Sequence, residues 1–109
     1  MNQKITAENW TDTDGNPTGG TAVGKGIIII WQNGPLGRGA DRMEPNGAFV
    51  EGVIEAARQR LEFFQTAGGG RFACGENASA IEHLGMALYM LNARTQAREA
   101  RQVEGTHTP

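Results

Sequence analysis

Cysteine is nearly missing from this chain. Among its 109 residues Cys74 stands alone, which excludes an intrachain disulfide and a multi-cysteine metal site. Aromatic residues are scarce at 6% and apolar residues make up 39%, so a core near the small end of what folds alone gains from burial between copies. There is no basic excess either. The formal charge of −2 argues against DNA or other bulk nucleic-acid binding and leaves only a local basic cluster to hold an anion. No basic-then-apolar signal opens the sequence and no apolar run approaches a membrane span, so the expectation is a soluble protein without membrane contact.

The chemistry of an enzyme is equally thin. His83 and His107 are isolated, Ser79 has no nucleophile elbow around it, and Cys74 has no catalytic partner nearby in sequence. The reading is a non-enzyme without cofactor or metal.

What is present begins with a segment rich in Thr, Asn, Asp and Gly, suited to turns and loose chain. Two patterns in it are rejected. Gly19 to Lys25 has the letters of a phosphate-binding loop, but Gly26 and then a strand follow where Ser or Thr and a helix are needed. Asp12-Thr13-Asp14-Gly15-Asn16 resembles the start of a calcium loop, yet Pro17 and Val23 occupy positions that need glycine and glutamate. A plain turn is the better reading.

Gly26 to Gln32, with four consecutive isoleucines, predicts one strand whose continuous apolar run implies burial on both faces. Its partner is either the stretch around Thr18 to Val23 or a strand from a second copy. Asn33 to Asn46 is a glycine- and proline-punctuated loop whose Arg38 and Arg42 are read as solvated, with a ligand or a neighbouring subunit as the lesser alternative.

The second half reads as a helical hairpin. Asn46 predicts the N-cap of a first helix with an apolar face of Phe49, Val50, Val53, Ile54, Ala57, Leu61 and Phe64. Its Glu51, Glu55 and Gln59 give no stabilising charge pairing. Of Phe63 and Phe64, about 100° apart on the wheel, one is assigned to the core and one is left at the helix end to stack on a planar ligand. After the turn at Gly68-Gly69-Gly70, a second helix from about Cys74 to Arg101 carries the stripe Ile81, Leu84, Leu88 and Leu91. That stripe turns polar at its ends, at Asn77 and at Thr95 and Arg98. Arg94, Arg98 and Arg101 share one face; complementing the helix dipole explains them blandly, phosphate binding by guanidinium forks more sharply.

Asn77 and the Arg94–Arg98 pair are separated by roughly 25–30 Å of helix. One protomer cannot bring both to one small ligand. Two antiparallel hairpins would place Phe64 and Asn77 of one chain against Arg94 and Arg98 of the other, making two equivalent pockets.

Arg60-Leu61-Glu62-Phe63-Phe64, Phe72-Ala73-Cys74-Gly75-Glu76-Asn77 and the closing run from Arg94 through Val103-Glu104-Gly105-Thr106-His107 resemble the hairpin domain shared by phage Thoeris anti-defence and anti-CBASS sponges. The strand before the hairpin is closer to the Thoeris type. The resemblance implies a phage protein acting in the cytoplasm of the infected bacterial host. Such a protein sequesters cyclic ADP-ribose isomers or cyclic oligonucleotides without degrading them, and assembles as a dimer or as a hexamer built from three dimers. It further implies Phe64 for stacking, Asn77 for polar contact, and Arg94 and Arg98 for phosphates. Gly75 stands where related sequences carry an arginine tied to a separate cyclic-trinucleotide site.

The fold class expected is α+β: a flexible N-terminal segment over 1–45 with its main β-strand at about 26–32, a helical-hairpin domain over 46–104, and a tail over 105–109. The competing function is a small helical-hairpin interaction module without a small-molecule ligand, its arginines paired with Glu99 and Glu104.

Overall fold

The computed structural model describes residues 3–109. Its elements are β1 (Thr6–Thr11), β2 (Pro17–Gly24), β3 (Ile27–Trp31), α1 (Val50–Thr66) and α2 (Gly75–Ala100). The class is α+β, and its β part is larger than expected. Three antiparallel strands in the order β1-β2-β3 stand where the sequence predicts one main strand and leaves its partner open. The partner of the isoleucine strand is β2 of the same chain, with Ala22 opposite Ile29 and Val23 opposite Ile28. β1 then covers the other edge of β2, pairing Ala7 with Ala22 and Asn9 with Gly20.

The chain divides into two compact units, 1–49 with 98–109, and 50–97. In the first, Ala22 is the buried apolar side chain and Gln32 the buried polar one. Gly20 lets β1 approach β2 closely, because a Cβ there would collide with the Glu8 carbonyl. The expectation of burial on both faces of β3 is not met within the chain. Alternation puts Ile28 and Ile30 on one face, 73% and 59% exposed, while Ile27, Ile29 and Trp31 are half-buried on the other. The calcium-like segment is the tight turn between β1 and β2. Asp12 Oδ1 accepts the Asp14 and Asn16 amides, both at 2.9 Å, and Gly15 adopts φ +80°. The Asn16 amide is the foremost cause that holds the Asp12 carboxyl below its ordinary range.

Asn46 is not the helix cap. Its side-chain amide pairs with the Asn33 backbone, Asn33 N–H donating to Oδ1 at 2.8 Å and Nδ2 to the Asn33 carbonyl at 3.1 Å. An Asn beside a strand end finds two backbone partners there, and the helix begins four residues later. The loop arginines are not free but paired within the chain, and the Arg42 side chain stays exposed. Arg42 forks onto the Glu104 carboxylate, and Arg38 donates to the Glu104 carbonyl at 2.8 Å and to Glu99 at 3.2 Å. Glu99 and Glu104 are therefore bound by Arg38 and Arg42, not by the α2 arginines. The Gly37 amide donates to the Gly105 carbonyl at 2.8 Å, so residues 103–106 are stitched to the 37–42 loop.

In the second unit α1 and α2 run antiparallel. The Arg94 guanidinium meets Glu51 at 3.2 Å at one end, and Gln65 bonds Cys74 at the other. Charge pairing does support α1, contrary to expectation: Arg58 bonds Glu55 at 2.8 Å and Glu62 at 2.9 Å, one turn back and one turn on. No residue of either helix is buried. No Cα of α1 comes within 8 Å of a Cα of α2, whereas helices packed with axes 8–10 Å apart bring facing Cα atoms to roughly 4–6 Å. The pair is held at its ends and open along its length.

Candidate functional site

Three consecutive glycines make the turn between the helices. Gly68, Gly69 and Gly70 all have left-handed φ, at +62°, +72° and +88°, a run that side chains oppose. The turn is fixed across by an amide clamp: Cys74 N–H donates to Gln65 Oε1 at 3.0 Å, and Gln65 Nε2 donates to the Cys74 carbonyl at 3.2 Å. Cys74 sits just before α2, and its sulfur accepts the Asn77 amide at 3.4 Å. A thiol here takes the part usually played by Ser or Asp at an N-cap. Phe64 adjoins Gln65 in sequence and Asn77 hangs from Cys74, so the clamp brings these two candidates to the same end of the unit.

Phe64 is 38% exposed and Phe63 53% exposed. Neither is core within the chain, which corrects the assignment of one of them to the interior. Their centroids are 5.9 Å apart with planes tilted by 59°. Asn77 is half-buried, as are Ile81, Leu84, Leu88 and Leu91 along the same stripe. One residue escaped the sequence reading: the Arg60 guanidinium lies over both rings, 4.8 Å from the Phe64 centroid and 5.2 Å from that of Phe63. Its position three and four residues before the two phenylalanines was the signal that could have found it.

Arg94 lies at the opposite end of the hairpin, exposed and paired with Glu51; seventeen positions of α2 separate it from Asn77, roughly 25 Å. Arg98, half-buried, donates to three backbone carbonyls: Thr108 at 2.7 Å, Val103 at 3.0 Å and Thr106 at 3.1 Å. Arg101 bonds the Pro109 carbonyl at 2.8 Å. The structure thus places Phe64 and Asn77 at the same end of the helix pair and Arg94 at the other, while Arg98 holds the segment that follows α2.

Elsewhere, His83 is exposed with Nδ1 2.7 Å from the Ser79 carbonyl, beside a shallow depression lined by Glu82, Gly85 and Met86. Among the described residues no group of His, Cys, Asp and Glu is arranged to hold a metal, and no helix is long and apolar enough to cross a membrane. What the hairpin turn offers chemically is an accessible aromatic face, a cation and an amide at one end of an open helix pair.

No protein-family model matches the chain. Among curated proteins it is similar to "Thoeris anti-defense 1" of Bacillus phage SBSphiJ7, 44% identical over 85 residues. The match takes in 78% of this chain and 55% of that protein, so the chain spans about half the length of the relative.

Proposed function

We propose that this chain inhibits Thoeris-type phage defence by capturing the nucleotide signal that the defence uses, holding it without breaking a bond. The relative's name supports the target; the exposed Phe64, held at the same end of the helix pair as Asn77 by the Gln65–Cys74 clamp, supports the mode. An aromatic platform takes a base by stacking, a half-buried amide reads a polar edge, and guanidinium forks take phosphates. Cyclic ADP-ribose isomers combine these groups, and so do cyclic oligonucleotides of the kind used by CBASS.

The pocket is completed by a second copy. The hairpin leaves the stripe Ile81, Leu84, Leu88 and Leu91 only half-covered and its two helices apart, which suits the insertion of a partner hairpin. In an antiparallel pair, Arg94 and Arg98 of one α2 approach Phe64 and Asn77 of the other, and two equal sites follow from the two-fold axis. The exposed Met86, Tyr89 and Met90 on α2 support assembly beyond the dimer, up to a hexamer of three dimers. Acting as a sponge in the cytoplasm of the infected bacterium, such a protein needs only to lower free signal below the effector's threshold; each 1.4 kcal/mol of affinity is a factor of about ten.

A panel of cyclic ADP-ribose isomers and cyclic oligonucleotides, incubated with the protein and recovered by heating, tests this reading. Depletion followed by release of intact ligand supports it. Altered ligand would make the protein an enzyme. An undepleted panel would favour the interaction module, a reading helped by the Glu51 carboxylate and tail carbonyls that already occupy Arg94 and Arg98.

A further inference from the structure

Arg38, Arg42, Arg58, Arg94, Arg98 and Arg101 each donate to a carboxylate or a backbone carbonyl of the chain. Among the described residues the two remaining arginines, Arg60 and Arg71, have no such partner. Both lie over phenylalanine rings instead, Arg71 on Phe72 at 4.9 Å and Arg60 on the Phe63–Phe64 pair. No carboxylate stands three or four positions from Arg60 on α1, where Ala56, Ala57, Phe63 and Phe64 lie.

We propose that Arg60 is a phosphate-binding residue of the Phe64 site, supplied by the same chain as the ring that takes the base. The assignment rests on the nucleotide-binding reading above and adds to it a cation beside the base.

A guanidinium stacked on a ring keeps its five N–H donors around its rim, where a phosphate can take two of them side by side. Here none of the five meets a protein acceptor. The two rings are tilted by 59°, so the guanidinium can leave Phe64 while staying against Phe63. A base stacked on Phe64 gains more than an exposed cation–π contact loses. Arrival of a base thus shifts the guanidinium sideways, still within reach of a phosphate on the same ligand. Phosphate contacts then come from both sides of the pocket, and the ligand must carry anionic oxygen close to its base as well as at the far end.

Isothermal titration with cyclic ADP-ribose and cyclic di-AMP as probes, at low and raised salt, tests this on the full chain. Arg60→Ala is expected to weaken binding roughly tenfold or more and to flatten its salt dependence, since one fewer ion contact is screened. Arg71→Ala removes the same charge from Phe72 and should leave affinity within about twofold. Circular dichroism verifies folding, and Arg60→Gln, which keeps the stem over the rings, carries the test if the alanine variant unfolds. Wild-type affinity in the Arg60 variants would overturn the assignment, as would equal losses at Arg60 and Arg71 or a loss with an unchanged salt slope. Failure of the unmodified protein to bind either probe or any member of the panel would overturn the nucleotide reading itself, and this assignment with it.

Discussion

Both oxygens of the Glu104 carboxylate are held by Arg42, Nη1 donating to Oε2 at 2.6 Å and Nη2 to Oε1 at 3.1 Å. This fork, between residues sixty-two positions apart in sequence, is a two-point link between the 37–42 loop and the segment after α2. The Gly37–Gly105 backbone bond lies beside it. Gly105, at φ +80°, must be glycine, because a Cβ would collide with the Gly37 carbonyl.

The fork makes the stitch sensitive to acid. Hydrogen bonding from Arg42 holds the Glu104 carboxyl below its usual range. A folded-state pKa below the unfolded one, about 4.3, gives a contribution present above the unfolded value and lost as pH falls through the folded one. Hydrogen exchange at the Gly37 amide should therefore quicken, relative to its intrinsic rate, on going from about pH 6 to about pH 3. Glu104→Gln should show the weaker protection already at neutral pH and little further loss in acid. Identical pH behaviour of the two proteins would show that the fork does not hold the stitch.

A second prediction concerns the end of α2. Val103 N–H bonds the Arg98 carbonyl and Gln102 N–H the Glu99 carbonyl, both at 3.0 Å, with Gln102 at φ +59° between them. This is the paired-bond ending that helices usually close with glycine. Among the described residues Gln102 is the one non-glycine with positive φ. A left-handed Cβ costs about 1–2 kcal/mol, while glycine's extra freedom in the unfolded chain takes back about 0.5–1 kcal/mol. Gln102→Gly should stabilise by about 0.5–1 kcal/mol, seen as a higher denaturation midpoint at fixed protein concentration. A lower midpoint would mean that glycine's freedom in the unfolded chain outweighs the strain relieved at Gln102.

Legibility in the sequence followed what each element depends on. The isoleucine strand and the α2 stripe were readable because apolar periodicity marks them, and Leu84, Leu88 and Leu91 are indeed half-buried on one face. β1 was not. Thr6 to Thr11 is exposed throughout, and it is a strand because β2 offers it backbone partners; its own side chains carry no signal. The Arg58 pairing is less visible in sequence because its acids lie three back and four on, whereas the i,i+4 pairs Glu51–Glu55 and Glu55–Gln59 are repulsive and neutral. For Arg42 and Glu104 no local pattern exists, since their meeting is set by the path of the chain. Of the candidate site residues, Phe64 and Asn77 stand out in the sequence as the ends of apolar faces. That Gln65 and Cys74 clamp this end of the hairpin depends on turn geometry that three glycines leave open.

Glycine to alanine should have opposite signs at two positions. At Gly47 a Cβ would lie 2.5 Å from the Trp31 carbonyl oxygen and 2.7 Å from the Gln32 nitrogen. The chain there runs beside β3, with Gln32 N–H donating to the Ala48 carbonyl at 2.9 Å and Ala48 N–H to that of Ile30 at 2.8 Å. Gly47→Ala must push this crossing apart, at a cost of about 1–3 kcal/mol. Gly52 is exposed in the first turns of α1 with nothing within 4 Å of a Cβ, so Gly52→Ala should stabilise by about 0.5–1 kcal/mol. Urea unfolding of the two variants measures both, and a stabilising Gly47→Ala would contradict the close approach of loop and strand.

The cross-chain pocket predicts a complementation that a single-chain pocket cannot give. Arg94 is the cleaner arginine to remove, because Arg98 also holds three carbonyls after α2 and its loss would disturb the fold locally. Phe64→Ala and Arg94→Ala should each abolish depletion of the signal that the wild-type protein captures. In a mixed dimer of the two variants, one pocket receives both defects and the other receives none. Equal amounts exchanged to equilibrium form mixed dimers in about half of the assemblies, each with one sound pocket of two, so about one quarter of wild-type capacity should return. The measurement is ligand bound per protomer at saturation, before and after subunit exchange. A mixture as inactive as its parts would place ring and guanidinium of each pocket on one chain, which the roughly 25 Å of helix between Asn77 and Arg94 opposes.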